Sequence, residues 1–177
     1  DPFAEELNRS RRMATLQARR LAAHGYGVLQ IDLYGCGDSS GDFGDARWDV
    51  WKQDLALASA WLRERLQQPV TLWGLRLGAL LALDYAREAR HPLGPMLLWQ
   101  PVIDGSSYLT QFLRLRTMGA MLGDENTAQP GTQGRRAARQ AGQTLEIAGY
   151  DLTSELALAI DYLTAPEVLA PAVAVHW

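Results

Sequence analysis

Pro69-Val70-Thr71-Leu72-Trp73-Gly74-Leu75-Arg76-Leu77-Gly78-Ala79-Leu80-Leu81-Ala82-Leu83 decides how this chain folds. Val70 to Trp73 is a short apolar run that reads as a buried strand. Leu77 to Ala89 carries Ala and Leu on nearly every face and reads as a buried helix. Gly74 and Gly78 bracket the turn between them. Glycine is needed where a tight turn presses against its neighbours without room for a Cβ. Arg76 stands at the apex.

Strand, sharp turn with Gly at both flanks, then helix is the setting in which a nucleophile is presented as Gly-x-Ser-x-Gly. Here the middle residue is neither Ser, Cys nor Asp. The scaffold is present without its hydroxyl.

The neighbouring segments repeat the pattern. Gly27 to Leu33 is apolar and reads as a strand, with Asp32 at its carboxyl end, running into Tyr34-Gly35-Cys36-Gly37-Asp38-Ser39-Ser40-Gly41. A G-x-G after a strand also invites a dinucleotide-binding reading, but no helix opens directly after these glycines. Trp48 to Leu66 is amphipathic, with Trp51, Leu55, Ala58 and Leu62 at helical spacing. Trp48, Trp51 and Trp61 are read as packing residues. Met96 to Gln100 is a third strand, stopped by Pro101. Three strands separated by two helices make a parallel sheet with helices on its faces. Such sheets bind ligands beyond the carboxyl ends of their strands. Asp32, Arg76 and Asp104 are expected to gather there.

Flanking segments complete the expectation. Asp1 to Leu7 reads as a loop, and a helix capped by Asn8 or Ser10 runs to Ala23. His24 then favours the helix C-terminus as a cation, and Gly25 ends the helix. Ser106 to Leu122 is a further helix. Residues 124–144 are polar and rich in Gly and Gln, as a loop or lid edge would be. Leu145 to Tyr150 reads as extended, and Thr153 or Ser154 caps a helix through Leu163. Ala172 to His176 begins another strand, with His176 a packed or edge residue. The domain reading is a core over 1–104, a lid-like insertion over 105–149 and a return to the core over 150–177.

Bulk properties exclude several classes. The chain has 177 residues, one domain's worth, and a net charge of −3, which offers no electrostatic case for nucleic acid. Cys36 is the single cysteine, so no internal disulfide can form. It is read as a small packed residue, and with only three histidines no metal-ligand spacing exists. No cofactor motif is read. No apolar run is long enough to span a bilayer, and a cytoplasmic location is the expectation. Oligomeric state is left open. The chain opens without Met and ends in a strand-like run, and is read as an internal piece of a longer protein.

These segments resemble the α/β-hydrolase superfamily, giving a doubly wound parallel sheet with a small helical lid. Asp32 to Ser39 looks like its D-x-x-G-x-G-x-S turn, and Gly74 to Gly78 falls at its elbow. Pro2 to Arg12 and Asp32 to Ser39 are similar, more narrowly, to exosortase A system-associated hydrolase 2, a family found beside a bacterial protein-sorting and exopolysaccharide system. The resemblance implies oxyanion-hole N–H donors from Leu77 and from the loop at Phe3-Ala4. It places Asp104 where some members carry the catalytic acid. It also implies a strand, preceding Pro2, between the Val28 and Val70 strands. Without it those two either pair directly or leave a gap, giving a short sheet with exposed edges.

Three readings of Arg76 follow. It is an electrophilic clamp in a hydrolase of an ester, thioester or amide whose water is activated by a carboxylate or a His, since a guanidinium cannot attack. Or it binds a small anionic or acyl ligand, or a partner, without catalysis. Or it fills the old pocket, paired with Glu5, Glu6 or Asp104, because a buried charge needs a partner.

Overall fold

The computed structural model describes residues 5–121, 145–147, 150–168 and 174–176, with the side chains of 5–9, 113, 115–121, 145–147, 150, 167 and 168 left aside. Phe3, Ala4 and residues 124–144, expected as a loop or lid edge, lie outside the described residues. Helix α1 spans Glu5–Ala23, so residues 5–7 are helical where a loop is expected. A single 3-10 turn, Phe43–Asp45, precedes α2, Trp48–Leu66. Strand β1, Val70–Leu75, leads into α3, Leu77–Glu88. Strand β2, Leu93–Trp99, is followed by α4, Gly105–Met121. The short strands β3, Leu145–Ile147, and β4, Tyr150–Leu152, form an antiparallel pair in place of one extended piece. Helices α5, Ser154–Asp161, and α6, Ala165–Val168, lead to β5, Val175–His176.

Strands β1, β2 and β5 form a parallel sheet in that order. Leu72 stands opposite Met96 and Leu75 opposite Trp99. Because successive side chains alternate between faces, Leu72, Met96 and Leu98 point one way and are buried. Trp73, Leu97 and Trp99 point the other way. On the buried face α3 packs against β1, α2 and α6. Leu80, Leu83, Met96 and Leu98 are fully buried there, each contributing roughly 1.5–3 kcal/mol.

Local signals account for the helix ends. Gln67 takes a left-handed conformation (φ 53°) and its N–H donates to the Arg63 carbonyl, closing α2 before Pro69. The Thr153 hydroxyl accepts the Leu156 N–H at 3.3 Å and opens α5. His24 stands past the end of α1, its Nδ1 2.8 Å from the Arg20 carbonyl. Trp48 and Trp51 are core residues, as their spacing suggests, whereas Trp61 is 45% exposed under the Arg65 guanidinium. On α3 the buried Asp84 accepts the Trp48 indole N–H at 2.9 Å, with Lys52 Nζ at 3.5 Å.

The expected strand over Gly27–Leu33 is not formed. Residues 26–33 carry no strand ladder among the described residues, and Val28 and Leu29 are exposed. They do not pair with β1. An apolar run becomes a strand only where a neighbour supplies hydrogen bonds. The turn that follows is tied to α2 instead. The Tyr34 N–H donates to Asp54, and the Trp51 indole donates to the Tyr34 carbonyl.

Candidate active site at the strand tips

The turn between β1 and α3 has the sharpness its glycines suggest. Arg76 adopts φ 54°, ψ −121°, a region that side chains rarely occupy. Such a conformation costs on the order of 1–3 kcal/mol and persists only where surroundings enforce it. Three backbone bonds do so here. The Arg76 N–H donates to the Trp99 carbonyl at 3.0 Å. Its carbonyl accepts the N–H of Ala79 and that of Val102, both at 3.1 Å. A Cβ on Gly74 would fall on the backbone of Ala79 and Gly78. The apex is therefore clamped between the start of α3 and the chain leaving β2.

The Arg76 side chain is half-buried. Its guanidinium lies over the Tyr108 ring, 5.9 Å from the centroid, at the limit of a cation–π contact. Tyr108 is buried on α4 and stacks with Phe112 at 6.3 Å. The cation thus sits at the carboxyl tips of β1 and β2, backed by an aromatic wall from α4. Leu77 occupies the first position of α3, where a backbone N–H has no acceptor within its own helix.

The carboxylates expected at this edge are engaged in different contacts. Asp32 accepts from Arg11 Nη2 at 2.6 Å and from the Asp38 N–H at 3.0 Å. Arg11 also reaches Asp38 at 3.0 Å, and the Ser39 hydroxyl donates to the Asp32 carbonyl. A Cβ on Gly37 would strike the Asp32 carboxylate. Asp32 therefore holds the glycine turn to α1. Asp104 caps α4, accepting the Ser107 N–H at 2.5 Å. That bond holds its carboxyl below the usual range. The Glu5 and Glu6 side chains, and Phe3 and Ala4, lie outside the described side chains.

Cys36 is half-buried in the glycine turn. Desolvation, reinforced by the Asp32 charge, pushes its thiol up to about 11. It stays protonated at neutral pH and is a poor nucleophile. His176 is exposed on β5. Among the described residues no cluster of metal-ligating side chains occurs. No described helix is long and apolar enough to cross a membrane. Tyr108 and Trp99 are the site residues that sequence reasoning misses. Trp99 is the last residue of β2 and Tyr108 lies in the first turn of α4, the helix that follows it, and that place in the chain is the signal that points to them.

The profile of the family described as serine aminopeptidase, S33 (Hydrolase_4) matches residues 7–143. Among solved structures, one from work on LipS and LipT, two metagenome-derived lipolytic enzymes, is similar with a TM-score of 0.54 and 18% identity. The match covers 88% of this chain and 60% of that one. At that identity the likeness concerns the fold. No curated protein matches the chain.

Proposed function

From the premise that the chain belongs to the serine aminopeptidase S33 family of α/β-hydrolases, we propose that the protein acts on an anionic acyl compound. The class of substrate is an ester, thioester or amide that carries a negative group, held at the elbow by Arg76. The observation that carries this reading is the guanidinium at φ 54° between the strand tips, over Tyr108. A planar fork there suits a carboxylate or phosphate. The adjoining first turn of α3 favours negative charge. A guanidinium does not attack a carbonyl, so water is the nucleophile, its proton taken by a carboxylate or histidine base, and Arg76 orients and polarises the substrate. The Leu77 N–H is the oxyanion donor in this reading.

The resemblance of Pro2 to Arg12 and Asp32 to Ser39 to exosortase A system-associated hydrolase 2 supports a place beside a bacterial protein-sorting and exopolysaccharide system, in the cytoplasm. We read the domains as a core over 1–104, a lid-like insertion over 105–149 and a return to the core over 150–177. A second reading is a non-catalytic anion-binding descendant. It is favoured by one observation, that the Asp104 carboxylate already caps α4.

Steady-state hydrolysis of 4-nitrophenyl hemisuccinate and of the neutral 4-nitrophenyl butyrate by the full-length protein tests the proposal. The hemisuccinate is expected to be preferred by about tenfold in kcat/KM, and Arg76→Ala to abolish that preference. Equal turnover of both esters by the wild type contradicts the substrate class. Absence of turnover, with anion binding kept, favours the second reading.

A further inference from the structure

We propose that the groove between α1 and the end of β2 is a second ligand site, for a free linear acyl chain bearing a carboxylate. It lies beside the elbow but is built from different side chains. Arg12, Met13, Leu16, Gln17, Arg20 and Trp99 line a cavity of about 360 Å³. That volume is within the range of small-ligand pockets.

The residues of α1 repeat at helical spacing, so one face of the helix makes the wall. Met13 is 47% and Leu16 50% exposed, and together they form an apolar middle. Trp99 contributes from the sheet and packs edge-on with Trp73, ring centroids 5.1 Å apart. Arg12 and Arg20 stand eight residues apart, about 12 Å along the helix axis. Among the described residues neither guanidinium has an ionic partner. No acidic side chain among the described residues lines the groove.

An apolar trough with an unpaired cation toward either end matches an aliphatic chain with an anionic head. The apolar middle contributes about 0.8 kcal/mol for each methylene buried, and the guanidinium supplies the charge-assisted contact to the head.

Calorimetric titration of the full chain with decanoate, below its aggregation range, tests the site. In the Arg76→Gln background, where the elbow clamp is absent, decanoate is expected to saturate one site. Decanol should bind weaker by about tenfold, and so should decanoate to the Arg12→Gln/Arg20→Gln variant. Leu16→Glu, a surface change, should weaken decanoate by a similar factor. Both variants are checked for wild-type circular dichroism. The wild type should show a further, Arg76-dependent decanoate site at the elbow, which Arg76→Gln removes while the groove site is kept, so the two are read apart. Decanoate affinity unaltered by the double variant overturns the proposal, as does loss of binding in Arg76→Gln. Binding only to phosphatidylglycerol vesicles, or self-association of the protein that leaves decanoate without effect, overturns it as well.

Discussion

The Val102 N–H donates to the Arg76 carbonyl at 3.1 Å, joining the elbow apex to the chain that leaves β2. Together with the bond from the Arg76 N–H to the Trp99 carbonyl, it fixes a strained backbone from both sides. A residue held this way is conformationally costly, and its side chain emerges at a defined point. Strain of this kind clusters at functional sites.

The strain can be measured. Glycine adopts φ 54° without a Cβ penalty. Arg76→Gly is expected to match or exceed the wild type in thermal stability, and to exceed Arg76→Ala by about 1 kcal/mol. That corresponds to a Tm difference of about 2–4 °C in a chain of this size. Differential scanning calorimetry of the three proteins checks the order.

Gly74→Ala should behave in the opposite way. The added Cβ would meet the Ala79 Cα, a backbone atom that cannot rotate aside. The expected loss is about 3 kcal/mol, or failure to fold. Urea unfolding with tryptophan fluorescence reads it.

Asp104 links pH to stability. The Ser107 N–H lowers its carboxyl in the folded state, so the native form binds fewer protons than the unfolded chain. Its stabilisation is complete above the unfolded pKa and is lost as pH falls through the depressed native value. Asp104→Ala should cost about 1 kcal/mol at neutral pH and little at acid pH, where the wild type has already lost the contribution. Asp104→Asn should keep turnover within about threefold of wild type, whereas removing a catalytic acid costs orders of magnitude. Unfolding curves from neutral to acid pH and one kinetic assay settle both points.

Cys36 should resist alkylation. With its thiol pushed up to about 11, modification by iodoacetamide at about pH 8 is expected to be slower than in the unfolded protein by about a hundredfold. Mass spectrometry of timed reactions in native buffer and in urea gives the ratio.

Much of this fold was legible because its signals are local. The Gly74 and Gly78 bracket, the Trp51–Leu55–Leu62 stripe and the Thr153 cap each depend on neighbours within a few residues. Features set by distant partners were not legible. The run from Gly27 to Leu33 has a strand's composition, yet its ladder depends on a neighbour that residues 26–33 do not have among those described. The antiparallel pair of β3 and β4 turns on which residues meet across a short connection, and one extended reading of the segment cannot show that. At the site, Arg76 was visible as an anomaly in a motif. The placement of Tyr108 beneath its guanidinium and of Arg11 on Asp32 depends on where α4 and α1 come to lie in the fold, which no short spacing encodes.

Calorimetric titration of succinate into the wild type and Arg76→Gln tests the anion clamp most directly. The geometry predicts saturable binding to the wild type, weakened by about tenfold or more when the guanidinium is replaced by a shorter, neutral amide. Equal succinate affinity in the two proteins, both correctly folded, would contradict it.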